Sequence, residues 1–352
     1  MLGPQDTIGL PDAEITLAQL LKKKNYQTMA IGKWHLGHAE NKYLPTAKGF
    51  DNYFGLLYSN DMQPPWVKAD KPLQLYRNDK PVEHPVQQET LTERYTQEAV
   101  RFISHNSRQP FFLYLSYTMP HLPLHVSKTF RGRSRAGLYG DVIETIDWSV
   151  GEINTALAKA GLTDKTLIMF TSDNGPWCNM PDRMLQDGIE KWDAGSPGLL
   201  RGAKGTTWEG GQRVPFIAKW PNHIPAGQSS CDMAATLDIL PTLATVCGIE
   251  PPRDRVLDGE NMLPFLQGRD RSPRQEFYYL NNMQLDGVRV GKWKMCVAPP
   301  QETTAAICEL YDLETDPAEK YNVADRHAER VRQLTEKMRT MAKELKTTTN
   351  LK

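Results

Sequence analysis

"YQTMAIGKWHLGH", residues 26–38, decides the fold. An apolar run of strand length ends abruptly in Lys33 and His35, set between glycines. Desolvating two such groups beside a buried strand is costly unless negative charge meets them there. Two further runs share the character: "FFLYLSY" from Phe111 and "TLIMFTS" from Thr166. Near-continuous hydrophobicity suits strands covered on both faces, so all three are predicted as interior strands of a parallel sheet. Between them Leu91, Tyr95, Ala99, Phe102 and Ile103 line one helical face. Val142, Ile143, Ile146, Val150, Ile153 and Leu157 line a second, which Gly161 ends. A further stripe runs through Met233, Leu237, Leu240, Leu243 and Val246. Alternating strands and helices make the main body α/β.

The polar, proline-containing stretch "LQGRDRSPRQE", residues 266–276, divides residues 1–268 from a smaller unit, residues 269–352. That unit reads as short strands ("EFYYL", "DGVRVGKWKMCV", "ELYDL") and a terminal helix carrying Val331, Leu334, Met338 and Met341. Lysine and arginine number 42, as do aspartate and glutamate, so no basic excess supports nucleic-acid binding. No run reaches the ~18 apolar residues of a membrane span, and the first residues lack the regions of a signal peptide. Five scattered cysteines fit neither a dense disulfide framework nor a zinc spacing. They read as free or buried thiols, with a Cys296–Cys308 pair left open.

Ligands in open α/β sheets bind beyond the carboxyl ends of the strands. The first strand runs into Lys33 and His35. The second runs into "TMPHLPLH", with His121 and His125, and the third into "SDNGP", with Asp173 and Asn174. "RGAKGTTWEGG", residues 201–211, presents Lys204 but lacks the P-loop spacing. Taken singly, each has an ordinary structural reading; "SDNG", for example, suits a turn. Together they describe a site. Asp173 and Asn174 are hard oxygen ligands suited to calcium or magnesium, with Lys33, Lys204, His35 and His121 around an adjacent anion. A metal beside several positive groups stabilises a transferring phosphoryl or sulfuryl group. Two ligands are short of the ~6–8 oxygens calcium takes.

The stretch "YQTMAIGKWHLGH" closely resembles the second signature of the type I sulfatases, the formylglycine-dependent arylsulfatase family. The resemblance continues, in the family's order, through "GFDNYFGLLYSND", "FFLYLSYTMPHLPLH", "FTSDNGPW", "RGAKGTTWEGGQRVPFIAKWP" and "ELYDLETDPAEKYNVA". Within the family the chain is most similar to the arylsulfatase A and N-acetylgalactosamine-6-sulfatase group. The resemblance implies an alkaline-phosphatase-like α/β sandwich with a mostly parallel central sheet and a small C-terminal α+β domain. It implies that Lys33 contacts nucleophile and sulfate, and that His35 takes a proton from the sulfated aldehyde hydrate. It further implies that Ser59 supports the site, that His121 binds sulfate as a candidate general acid, and that Lys204 is the second sulfate-binding lysine. Asp173 and Asn174 match calcium ligands, with magnesium the lesser alternative.

One departure is large. The family's nucleophile is a cysteine in C-x-P-S-R, oxidised to formylglycine. The cysteines here lie in "CNMPD", "CDMAA", "CGIEP", "CVAPP" and "CELYD". The family's paired N-terminal aspartates, which complete the calcium shell, are also missing. Both are expected before Met1, ahead of "GLPDAEITLAQLL". The chain is therefore read as a sulfatase lacking its first segment and inactive as it stands. Its complete form is expected to hydrolyse a sulfated carbohydrate or small molecule in a periplasmic, secreted or lysosomal setting. The alternatives are a non-catalytic sulfatase-fold binding protein, or a phosphodiesterase or phosphonate hydrolase of the same superfamily.

Overall fold

Helix α1 (Leu17–Lys22) starts at Thr16, whose hydroxyl accepts the Gln19 amide while the Gln19 side chain accepts the amide of Thr16. This reciprocal cap satisfies two donors that a helix start leaves open. The chain then turns into β1 (Gln27–Lys33), the strand expected from the opening motif. The computed structural model describes residues 2–69, 72–186, 188–298 and 307–349.

Strand β1 lies inside a five-stranded sheet. It pairs in parallel with β2 (Asn52–Leu56), beyond which β3 (Leu75–Arg77) and β4 (Lys80–Glu83) continue antiparallel. Helix α2 (Leu91–His105) then returns the chain to β5 (Phe111–Ser116), parallel to β1 on its other side. Met29 and Ile31 face Leu91, Tyr95, Ala99 and Phe102 of α2, while Ala30 faces Ala18, Phe50 and Tyr53. Burial on both faces is what the unbroken apolar run required. At its carboxyl end the sheet closes tightly on glycine. A Cβ on Gly32 would sit 1.8 Å from the Ser116 carbonyl oxygen, and one on Gly55 would sit 1.9 Å from that of Gly32. With φ at +98°, Gly32 also holds a conformation that L side chains disfavour.

Helix α3 (Gly137–Lys159) packs on α2, where Ser149 meets the hydroxyls of Thr96 (2.6 Å) and Tyr117 (2.7 Å). Val142, Ile146 and Leu157 are buried as its spacing predicts, whereas Ile143 is exposed. The third apolar run departs from expectation. As β6 (Ile168–Thr171) it pairs antiparallel with β7 (Phe216–Lys219), beyond the short helix α4 (Glu209–Gln212), and stays out of the parallel sheet. Phe111 and Leu113 of β5 and Ile168 of β6 nonetheless pack against the same residues, Ile103, Ala156 and Leu157. Among the described residues, β5 has no partner beyond β1 and β6 none beyond β7. Burial falls accordingly: Tyr114 is 45% exposed and Ile217 61%. A run that reads as an interior strand is covered only when both of its edges are paired. Here one edge of each strand is open.

Helices α5 (Ile239–Val246) and α6 (Leu263–Leu266) lead to a second sheet. Its strands β8 (Glu276–Asn281), β9 (Gln284–Val290), β10 (Trp293–Ala298) and β11 (Ile307–Asp312) run antiparallel in the order β11-β10-β9-β8. Helix α7 (Ala328–Glu344) covers it, placing Leu334 and Met338 against Leu285, Val288, Met295 and Leu310. All five cysteines are free, so the pairing left open for Cys296 and Cys308 is not made. Their register explains it: Cys296 stands opposite Glu309 and Cys308 opposite Val297. Among the described residues no helix is long and apolar enough to cross a membrane.

Unpaired strand edges with exposed apolar residues favour association between copies. The chain is expected to show concentration-dependent self-association by light scattering. Tyr114→Lys or Ile217→Lys, each placing charge on an exposed strand face, should shift it toward the monomer. Scattering unchanged in both variants would contradict this account of the edges.

Candidate active site

The ladder between β1 and β2 runs past the strand ends. Trp34 donates its amide to the Leu56 carbonyl (2.9 Å) and His35 to that of Leu57 (3.0 Å). The Trp34 side chain is buried and donates Nε1–H to the Tyr43 carbonyl (2.8 Å). Ser116 Oγ donates to the Lys33 carbonyl (2.5 Å), tying the end of β5 to the same place. His35 takes a positive φ of 56°, its Nε2 lies 3.0 Å from the Leu2 carbonyl, and its ring packs edge-on to Tyr58.

Strand β2 delivers Ser59, Asn60 and Asp61, which are all buried. Ser59 Oγ, Asn60 Oδ1 and Asp61 Oδ1 have no hydrogen-bond partner. Asn60 Nδ2 donates to the carbonyls of His121 (3.2 Å) and Pro123 (3.0 Å), fixing the loop after β5 against this turn. His121 Nδ1 lies 2.6 Å from the Leu122 carbonyl and so carries the proton, which leaves Nε2 as the ring's other face to a ligand. Strand β6 delivers Asp173, which is exposed, and Asn174, whose Nδ2 donates to the Gly175 carbonyl (2.8 Å). Lys204 is spliced to the same loop. Its amide donates to Pro176 (2.9 Å), and the Gly175 amide donates to Gly211 (3.0 Å). Trp177 stands between two of these groups, 6.2 Å from the His121 ring and 5.4 Å from Lys204 Nζ.

The electrostatics show convergence. Burial pushes Lys33 below the ordinary lysine value; Asp173 and Asp61 oppose that, and Lys204 adds to it. Lys204 is lowered by burial, again against Asp173 and Asp61. Burial lowers His35, with the charges of Lys33 and Lys204 acting in the same direction. His121 falls to about 4, chiefly from burial and then from Lys204 and Lys33. Desolvated cations that depress one another are the signature of a site short of negative charge. An oxyanion is the chemistry that supplies it.

Lys33, His35, His121 and Lys204 thus share one electrostatic neighbourhood, with Asp173 acting on both lysines, Asn174 beside Asp173 and Ser59 in the turn bonded to the His121 loop. His125 does not join them. Its electrostatic neighbours are Glu89 and Arg131, and its Nε2 is buried without a partner. Two participants escaped the reading of the sequence, Asp61 and Trp177. Asp61 was within reach of the strand-end rule, since it follows β2 at the same rim; Trp177 had no such signal. The metal is a different matter. Among the described residues no group of three or more His, Cys, Asp or Glu side chains is placed to hold one. Asp173 and Asn174 alone are too few for a calcium shell of ~6–8 oxygens. The residues present do not fit a complete metal site.

The chain is similar to known proteins over most of its length. Residues 2–249 match the family model described as Sulfatase, and residues 203–348 match N-sulphoglucosamine sulphohydrolase, C-terminal. The chain is 38% identical over 305 residues to N-acetylgalactosamine-6-sulfatase of Mus musculus, covering 83% of this chain and 56% of that protein. To human arylsulfatase A it is 34% identical over 363 residues, covering 92% and 69%. Among solved structures, the PsFucS1 sulfatase from Pseudoalteromonas sp. superposes with a TM-score of 0.80 at 26% identity, covering 100% of this chain and 77% of that one. The chain thus spans about half the length of the N-acetylgalactosamine-6-sulfatases it matches.

The depressed imidazoles set a pH dependence. Unfolded His121 takes a proton near its ordinary pKa of 6.5, while the native group resists until about 4. The unfolded state therefore binds more protons in that window, and native stability should fall as pH drops through it. His35, lowered in the same direction, adds to the slope. Urea unfolding at pH 7 and pH 5 should show this loss, and His121→Gln should reduce it. An equal loss in that variant would exclude His121 as its source.

Proposed function

The chain belongs to the sulfatase family, and from that premise we propose that it forms the sulfate-binding part of an enzyme that hydrolyses sulfate esters. The observation carrying this reading is the convergence of Lys33, His121 and Lys204, delivered by separate segments, in one mutually perturbing cluster with Asp173. A sulfate group would offset the charge that burial leaves uncompensated there. Lys33 and Lys204 would hold its oxygens and stabilise negative charge as the ester bond lengthens. His121 keeps Nδ1–H on the Leu122 carbonyl, so Nε2 is its proton-carrying atom toward the leaving oxygen. The negative charge of a bound sulfate ester would raise the depressed His121 pKa, so substrate itself would favour the acid form. Ser59, with its buried hydroxyl unpartnered, is available to a sulfate or nucleophile oxygen. His35, whose Nε2–H is held by the Leu2 carbonyl, would offer Nδ1 as a proton acceptor at the same rim.

Calcium, with magnesium the lesser alternative, would supply Lewis-acid charge when bound, and a formylglycine hydrate would supply the nucleophile. Asp173 and Asn174 would hold the metal in part. No C-x-P-S-R occurs in these 352 residues, so these residues alone are proposed to bind sulfate without turnover. The name of the N-acetylgalactosamine-6-sulfatase relatives favours a sulfated carbohydrate as substrate. A second reading, a non-catalytic sulfatase-fold binding protein, is favoured by the same absence of a nucleophile. Polypeptide carrying a C-x-P-S-R segment separates the two, because only the first reading has activity appear on its addition.

The chain should bind inorganic sulfate by calorimetry, and Lys204→Ala should weaken binding by about 1.5–3 kcal/mol, the range for a hydrogen bond to a charged group. Release of 4-nitrophenol from its sulfate ester should stay at the buffer rate. Turnover well above buffer would overturn the inactive reading. Sulfate affinity indifferent to Lys204 would remove that residue from the site.

A further inference from the structure

Lys294 on β10 is fully enclosed, with 0% of its side chain exposed, and nothing in the proposed chemistry uses it. A buried ammonium persists only where it is paired. Its Nζ donates to the Thr207 carbonyl (2.7 Å) and pairs with Glu209 Oε1 (3.1 Å) and Glu319 Oε1 (2.7 Å). It also lies 4.2 Å from the centre of the Tyr279 ring. Glu209 is held from further sides. Tyr279 Oη donates to it (2.9 Å), and its own amide donates to Glu319 Oε2 (2.8 Å). These partners divide between two parts of the molecule: Tyr279, Lys294 and Glu319 come from the C-terminal sheet region, Thr207 and Glu209 from the segment that carries Lys204.

The other end of that segment is fastened to the same sheet. Arg201 donates to Tyr311 Oη (3.0 Å) and to the Glu319 carbonyl (3.0 Å), and its guanidinium lies 3.6 Å from the centre of the Trp208 indole. Lys204 sits midway between the two fastenings, flanked by Gly202 and Gly205 at positive φ. Glycines on both sides leave the backbone here permissive, held locally by the Lys204 amide bond to Pro176 and by the Ala203–Thr206 turn. Besides that amide bond (2.9 Å), its place is set by what grips residues 201 and 207–209.

We infer that Lys294 is a positioning residue: the C-terminal sheet, through the Lys294–Glu209–Glu319 cluster, fixes where Lys204 stands in the anion site. The placement of Lys204 follows from contacts within this chain; its consequence for sulfate rests on the function proposed above.

The test compares the wild-type chain with Lys294→Met, with Arg201→Leu and with Lys337→Met. Lys337→Met removes the surface pair with Glu276 from the same sheet without touching the 201–209 segment. Each protein is treated with an amine-acetylating N-hydroxysuccinimide ester, with and without inorganic sulfate. Mass spectrometry then reads the rate at Lys204, and circular dichroism checks the fold. Lys294→Met should change the Lys204 rate several-fold and weaken its protection by sulfate, while Lys337→Met leaves both at wild-type values whatever its melting temperature. If Lys294→Met does not fold, Arg201→Leu, acting at a half-exposed residue on the other fastening, should give the same change. Lys204 rates equal to wild type in the folded variants would overturn the inference. Absence of sulfate protection in the wild type would overturn the anion site instead, and the labelling rates without sulfate would still decide the positioning.

Discussion

Positive charge held partly out of water, with too little negative charge to meet it, is the constraint that organises this molecule. Lys33 and Lys204 are each lowered by burial, and each draws relief from the same carboxylates, Asp173 and Asp61. A protein does not keep two ammonium groups and a neutral imidazole crowded in a desolvated corner for stability's sake, because the arrangement works against folding. It persists because neighbouring structure forces it. The glycine contact between Gly32 and Gly55, the Ser116 bond to the Lys33 carbonyl and the spliced loops around Gly175 and Lys204 leave these side chains nowhere else to go.

Much of this was legible in the amino-acid sequence, because the relevant signals were local. The run Thr28–Gly32 reads as a doubly covered strand and is one. The strand-end rule then brings Lys33, His35, His121 and Asp173 to one rim without reference to any relative. What failed were matters of partnership. An apolar run reports that a strand wants cover, not which strand supplies it, so β6 was placed in the parallel sheet when its hydrogen bonds go to β7. His125 follows the same strand end as His121, but its charged neighbours are Glu89 and Arg131. Lys294 was invisible for a related reason. Within "GKWKMCV" it alternates with apolar residues and reads as the solvent face of an antiparallel strand, whereas its actual surroundings come from residues 207–209, 279 and 319.

The two sheets thereby play unequal but connected parts. The five-stranded sheet supplies side chains through its strand ends, so those residues inherit the rigidity of a hydrogen-bonded ladder. Lys204 has no strand of its own and hangs on a glycine-flanked loop. Its precision is borrowed from the second sheet through ion pairs buried enough to resist screening by salt. The family model that begins at residue 203 takes in this loop together with the C-terminal strands.

The buried cluster around Lys294 also constrains how such a sequence can change over generations. Removing the lysine takes away the cation shared by two buried carboxylates, and removing either glutamate leaves the lysine with one carboxylate where it had two, so each single replacement carries a cost. Concerted replacement by apolar residues at all three positions would remove the buried charges together. An arrangement of this kind behaves as a ratchet: once assembled, it ties the histories of positions 209, 294 and 319 together.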